Sequence, residues 1–259
     1  MTFLKINQLN INCVELNKTA SETIVMVHGM LTNMSVFYLK IAPKLAEKYH
    51  VVLYDMRGHG LSEIASSGYD VHSMSKDLWE LLDVLGLEKV HLVGYSYGGY
   101  IALNTAIHHP EKTDKIAIID SPTPISTLPQ HLQKEYDPDF FEQHVRQYSE
   151  STQIMPSKRR MEKFHKLNRY LFEETSIFND LLLNSDFFDK VAQAHLLNET
   201  LLLYADGSDT REAGEFLHRH ISNSHLFFGD GDHNIPIQNP DWLIEKLYDF
   251  FDSTGNGIL

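Results

Sequence analysis

An α/β fold, built on a mostly parallel sheet of eight strands flanked by helices, is predicted by three features of the chain. Short apolar runs of strand type alternate with helical stretches, and this alternation marks parallel strands joined by crossover helices. Several of the runs, such as Ile24 to Val27 and Thr200 to Tyr204, have the buried character of strands covered on both faces. The third feature is a junction. The run Val90, Leu92, Val93 stops at Gly94, and Gly98 and Gly99 open a helix, so strand, turn and helix follow within a few residues.

The elements follow in order. Leu4, Ile6, Leu9, Ile11 and Val14 alternate with polar neighbours over residues 3–16 and predict two short antiparallel strands near a sheet edge. A strand at Ile24 to Val27, a helix near Val36–Lys48 and a strand at His50 to Tyr54 come next. Within residues 73–85, Leu78, Leu81, Leu82 and Leu85 have helical spacing, and Gly86 stops the helix. After the junction strand come a helix at Tyr100 to His108 and a strand at Lys115–Asp120. The alternation breaks over 121–198. That stretch opens with Pro122, Pro124 and Pro129 and places Phe140, Phe141, Val145, Tyr148, Phe164, Leu167, Tyr170 and Leu171 at helical spacing. We read it as a helical insertion over the sheet. A strand at Thr200–Tyr204, a helix at Glu212–His220, a strand at Ser224–Phe228 and a closing helix from Pro240 complete the chain.

Composition bounds the function. A length of 259 residues suffices for one full core. The net charge of −13 argues against a nucleic-acid partner and an anionic membrane surface. A lone Cys13 cannot form an internal disulfide and fits a reducing compartment. The first residues lack a basic start followed by an apolar run, so a cytoplasmic location is expected. No His-Glu-x-x-His or thiolate cluster suggests a metal, and no dinucleotide fingerprint suggests a cofactor.

The pattern Gly94-x-Ser96-x-Gly98 at a strand-to-helix turn carries chemistry. It holds a serine on a strained turn with its hydroxyl clear of the sheet, at a helix N-terminus whose N–H groups favour developing negative charge. A serine hydroxyl is a weak nucleophile at neutral pH and needs a base within hydrogen-bonding reach. Of 15 histidines, His233 stands out because it follows the last strand on a loop that Gly231 lets turn.

Four stretches resemble the α/β-hydrolase fold family in its small, cap-bearing, cofactor-free branch. They are His28-Gly29, Asp55-Met56-Arg57-Gly58-His59-Gly60, Gly94 to Gly98, and Gly231-Asp232-His233, in that order. The resemblance implies a core domain of residues 1–120 and 199–259 with a cap at 121–198. It makes Ser96 the nucleophile, His233 the base, and the backbone N–H groups of Met30 and Tyr97 the oxyanion hole. The side chains of Met30 and Tyr97 would then help line a pocket, with a plain core role as the alternative for Met30. His28 and His59 would shape loops near the site.

The acid is where the chain departs from the family. Most members carry it after the seventh strand as Gly-x-x-Asp, but here Ala205 replaces the Gly and Ser208 stands three residues on. The candidates are Asp120, after the sixth strand, and Asp209, with Asp206 behind them. Asp232, adjacent to His233, reads as a solvated loop residue. Lys158-Arg159-Arg160 reads as a solvated helix face, with contact to a phosphate- or carboxylate-bearing substrate as its functional alternative. His218-Arg219-His220 reads as an exposed helix end.

A serine at this turn disfavours epoxide opening and halide displacement, which use a carboxylate there. The expected activity is hydrolysis of a small-molecule carboxylic ester or thioester through an acyl-enzyme. The alternatives are C–C bond hydrolysis or lyase chemistry on the same residues, and a non-hydrolytic ligand receptor.

Overall fold

The computed structural model describes residues 1–122, 137–184, 187–194 and 196–253. Strands β1 (Thr2–Ile6) and β2 (Leu9–Leu16) form an antiparallel hairpin. Its two turn residues, Asn7 and Gln8, both have positive φ, as a tight hairpin with the native twist requires. Strand β3 (Thr23–Val27) follows. The single helix expected over 36–48 is two short ones, α1 (Ser35–Tyr38) and α2 (Ile41–Leu45). Pro43 has no N–H to continue a helix from α1, so the helix restarts with Pro43 in its first turn. Strand β4 (His50–Tyr54) leads to helix α3 (Val71–Val84), whose N-cap Asp70 accepts from the Ser73 N–H at 3.0 Å. Strand β5 (Val90–Tyr95), helix α4 (Tyr97–His108) and strand β6 (Thr113–Ile119) follow.

Four helices then interrupt the alternation: α5 (Pro138–Thr152), α6 (Lys158–Glu174), α7 (Ile177–Leu182) and α8 (Phe187–Gln193). Pro124 and Pro129 lie outside the described residues. The chain ends with β7 (Thr200–Ala205), α9 (Arg211–His220), β8 (Ser224–Gly229), α10 (Ile235–Gln238) and α11 (Pro240–Asp252). The short α10 was not anticipated in the sequence. No helix among the described residues is long and apolar enough to cross a membrane.

The eight strands form one sheet in the order β1-β2-β4-β3-β5-β6-β7-β8, antiparallel at β1–β2 and β2–β4 and parallel from there on. Period-two alternation sends Val25, Val27, Val52 and Leu92 to one face, where Leu78 and Leu81 of α3 and Ile101 of α4 cover them. Ile24, Met26, Leu53 and Val93 point to the other face, under Phe37 of α1 and Leu243 and Leu247 of α11. Both faces are dry, which is why the strands read as continuous apolar runs.

The order reverses around β3. The chain steps from β3 outward to β4, then crosses back through α3 to β5 on the far side of β3. Loops leaving β3 and β5 therefore diverge and leave a crevice above the C-terminal strand ends, where ligands of such sheets bind. The inserted helices cluster around Phe141, Leu171, Phe172 and Ile177 and pack on Tyr69 of the core. Asp180 accepts from the N–H groups of Gly68 and Tyr69 at 2.9 and 2.8 Å and fastens the insertion down.

Candidate active site

Ser96 occupies the one-residue gap between β5 and α4, with φ 54° and ψ −122°. A non-glycine residue there carries backbone strain of about 1–3 kcal/mol, so the surroundings must hold it. They do so from both sides: the Ser96 N–H donates to the Ile119 carbonyl at 2.9 Å, and the Ser121 hydroxyl donates to the Ser96 carbonyl at 2.6 Å. The flanking glycines have no room for a side chain. A Cβ on Gly94 would lie 2.4 Å from the Gly98 carbonyl oxygen, and one on Gly98 would lie 2.2 Å from the Val27 carbonyl oxygen.

His233 lies just past β8, with its Nε2 3.0 Å from Ser96 Oγ and its Nδ1 2.7 Å from Asp120 Oδ2. The neutral tautomer with hydrogen on Nδ1 donates to Asp120 and leaves Nε2 to accept the serine proton. Tyr95, the residue before the serine, lies against the imidazole at a ring separation of 5.3 Å, and its hydroxyl donates to the His233 carbonyl at 2.7 Å. The ring and its loop are thus fixed by the same strand that carries Ser96.

Asp120 is fully buried and has φ 46° at the end of β6. Besides His233, its carboxylate accepts from the Ala205 N–H at 2.9 Å and from the Ser208 hydroxyl at 2.7 Å. Three donors compensate the loss of water around the charge. The other candidate acids are elsewhere. Asp209 is exposed and makes no contact with His233, because the side chain that turns back into the site at this loop is that of Ser208. Asp206 is also exposed and pairs with Arg211 at 3.1 Å.

Asp232 differs from expectation. It is half-buried and accepts from the Asn234 N–H at 2.8 Å. Burial works to raise its pKa, but hydrogen bonds from Ser151 and Asn234 outweigh that and hold it below the usual carboxylate range. Ser151, at the end of α5, also accepts from Gln238 at 2.8 Å, so the His233 loop is tied to the insertion.

His28 and His59 organise the loop after β3. His28 Nε2 accepts from the Met56 N–H at 3.0 Å and His59 Nε2 accepts from the Leu31 N–H at 3.3 Å. Burial, then the neighbouring His59, pushes His28 down to about 3, so it serves as a neutral acceptor. Met30 is partly buried and packs on both the sheet core and the insertion cluster. Tyr97 is buried rather than pocket-lining. Its hydroxyl donates to the Tyr69 carbonyl at 2.8 Å and accepts from Asn184 at 2.9 Å, which ties α4 to the insertion. Its N–H is the first of α4 and has no intrahelical acceptor.

A cleft of about 670 Å³ opens beside the His233 loop between the core and the insertion, lined by Leu31, Tyr95 and Asn234 on one side and Tyr148, Met161 and Phe164 on the other. Of the insertion's aromatic residues, Tyr148 and Phe164 line it. Phe141 and Phe172 fill the insertion's own cluster, Phe140 packs against it, and Tyr170 is exposed. His144 joins the cleft wall, its ring parallel to Phe164; burial, then His233, holds it below the usual imidazole range. Lys158 and Arg159 are solvated as expected, whereas Arg160, also exposed, lines the cleft. His218, Arg219 and His220 are exposed at the end of α9.

Residues 22–250 match the model of the alpha/beta hydrolase fold family. The chain belongs to the α/β-hydrolase fold family. This α/β-hydrolase-fold chain is 32% identical over 120 residues to a fluoroacetate dehalogenase of Burkholderia sp, covering 44% of this chain and 38% of that one. It is 37% identical over 102 residues to ethanol acetyltransferase 1 of Eremothecium cymbalariae, covering 39% and 28% of the two chains. The chain spans between 28% and 44% of the length of the curated relatives it matches. Among solved structures, the enol-lactonase from Burkholderia xenovorans LB400 superposes with a TM-score of 0.74 at 16% identity, over 97% of this chain and 100% of that one, a likeness of fold.

Sequence reasoning missed Tyr95, Ser208 and Ser151. The signal for Ser208 was present: it stands three residues after Ala205, where the family resemblance would place an acid.

Proposed function

We propose that the chain is a serine hydrolase that cleaves a carboxylic ester or thioester of a small molecule. The observation that carries this reading is the hydrogen-bonded series from Ser96 Oγ through His233 to the buried Asp120, set on a strained strand-to-helix turn. His233 Nε2 takes the hydroxyl proton as Ser96 Oγ attacks the acyl carbon, and Asp120 stabilises the resulting imidazolium. The oxyanion is received by the N–H groups of Tyr97 and Met30. His233 then returns the proton to the leaving oxygen or sulfur, and an acyl-enzyme remains on Ser96. Water, deprotonated by His233, attacks that acyl group and frees Ser96. Residues 1–120 and 199–259 serve as the catalytic core, and residues 121–198 as the cap that shapes the substrate cleft. Halide displacement, as the name of one relative suggests, would need a carboxylate at the strand-to-helix turn, where this chain has Ser96.

One observation favours a second reading. C–C hydrolysis or lyase chemistry needs a polar cap side chain near the serine, and His144 lines the cleft beside His233. Hydrolysis of p-nitrophenyl esters of graded chain length tests the first reading. Turnover that disappears in Ser96→Ala supports it. A folded wild type with no turnover and no acylation burst contradicts ester hydrolysis and moves the second reading forward.

A further inference from the structure

The cleft beside the His233 loop, which Tyr95 and Asn234 line next to Ser96 and His233 in the chain, has an unexpected charge pattern. The chain carries a net charge of −13, yet among the described residues no Asp or Glu lines this cleft. Among the described residues, Arg160 is the one permanently charged group that lines it. Arg160 has no carboxylate partner among the described residues, unlike Arg57, which is held against Asp77 at 2.6 Å, or Arg211, which pairs with Asp206 and Glu215. Its guanidinium is free to meet a ligand.

The helix that carries it gives a second, independent observation. The 17 residues of α6 hold six of the chain's 22 Lys and Arg residues, against three Glu. Met161, Phe164, Leu171 and Phe172 form the inward side of α6, so the cations sit on its solvent side and Arg160 lies at the boundary, next to the cleft. A second groove along the same helix is lined by Lys158, Lys166 and Arg169 together with Glu142 and Glu162, an excess of one positive charge. A helix with a net positive charge beside an apolar cleft, in an acidic protein, raises the local concentration of anions at the cleft rim.

We infer that the substrate has an apolar body that fills the cleft and an anionic group, a carboxylate or a phosphate, that Arg160 receives at the α6 rim. A guanidinium matches both groups with paired N–H donors. The apolar wall formed by Val36, Leu39, Met161 and Phe164 accommodates the chain between that group and the scissile bond. The inference rests on the serine-hydrolase reading for the bond that is cut, but not for the anion contact itself.

Two matched substrate pairs read the contact and its chemistry. Hexanoyl-coenzyme A against hexanoyl-N-acetylcysteamine adds phosphates to the leaving group; p-nitrophenyl hemiadipate against p-nitrophenyl hexanoate adds a carboxylate to the acyl end. At low ionic strength at least one anionic member is expected to be favoured about tenfold in kcat/KM, mainly through KM. That ratio should fall toward one in Arg160→Gln, persist in part in Arg160→Lys, and shrink with added salt. The preferred pair distinguishes phosphate from carboxylate. Equal rates within both pairs, or a preference undiminished in Arg160→Gln, overturns the inference. Calorimetric binding of coenzyme A and of adipate to the Ser96→Ala protein reads the same contact without turnover. Binding that Arg160→Gln abolishes supports it even where no ester is cleaved, and binding of neither ligand overturns it.

Discussion

Ser208 donates its hydroxyl to Asp120 Oδ2 at 2.7 Å, the same oxygen that faces His233 Nδ1. The loop after β7, where the family resemblance would place the acid, here supplies a hydroxyl donor to a carboxylate at the end of β6. The two strands are neighbours in parallel register, Ile118 beside Leu202 and Ile119 beside Leu203, so their following loops converge on one point. A carboxylate from either loop can reach the same imidazole.

The first prediction separates the aspartates. Asp120→Asn removes the negative charge from the far side of His233 and disturbs its tautomer, and kcat should fall by about 10³–10⁴. Asp209→Asn, at an exposed position, should stay within about twofold. Steady-state kinetics on one chromogenic ester measures both. Equal losses, or a loss confined to Asp209→Asn, would remove Asp120 from its role.

Ser208 is a positioning residue in this account. Ser208→Ala takes one of three donors from a buried carboxylate, a bond of about 1.5–3 kcal/mol to a charged group. Part of that is shared by ground and transition states, so we expect a fall of roughly tenfold in kcat with KM little changed. Ser208→Thr keeps the hydroxyl and should restore most of it. A Thr variant as impaired as the Ala variant would mean that the effect is packing.

Gly98→Ala tests the turn itself. The added Cβ would meet the backbone oxygens of Val27 at 2.2 Å and His28 at 2.6 Å, neither of which can rotate away. Urea unfolding should show a loss of about 3 kcal/mol, at the upper end for an overpacked site. Wild-type stability in this variant would mean that β3 and the turn are looser than described.

Buried neutral histidines set an acid limb of stability. His28 is held at about 3 against its usual 6.5, chiefly by burial. Between those values the unfolded chain takes up a proton that the fold refuses, so stability falls as pH drops below about 6.5 and the contribution is complete above it. One such group contributes a slope of at most about 1.4 kcal/mol per pH unit. His59 and His91 are shifted in the same direction by burial and add to it. Urea unfolding from pH 7.5 to 4.5 should show a shallower slope for His28→Gln than for wild type; parallel curves would contradict the assignment.

Much of this fold is legible in the chain because parallel strands covered on both faces must be continuously apolar, and runs such as Ile24 to Val27 announce themselves. The turn at Ser96 was equally readable, since both flanking glycines answer a backbone contact. What the sequence does not show is convergence. Asp120 and Asp209 are both aspartates near strand ends, and only the register of β6 on β7 separates a buried residue from an exposed one. Tyr95 and Ser151 act through partners far along the chain, His233 and Gln238, which no local pattern predicts. The broken helix at Pro43 was readable and was missed.

Intact-mass analysis after exposure to a fluorophosphonate probe tests most directly whether Ser96 is an activated nucleophile. We expect one adduct on the wild-type protein, localised to Ser96, none on Ser96→Ala, and labelling slowed by orders of magnitude in His233→Gln. A folded wild-type protein that takes no label, or a Ser96→Ala protein that still does, would contradict the account.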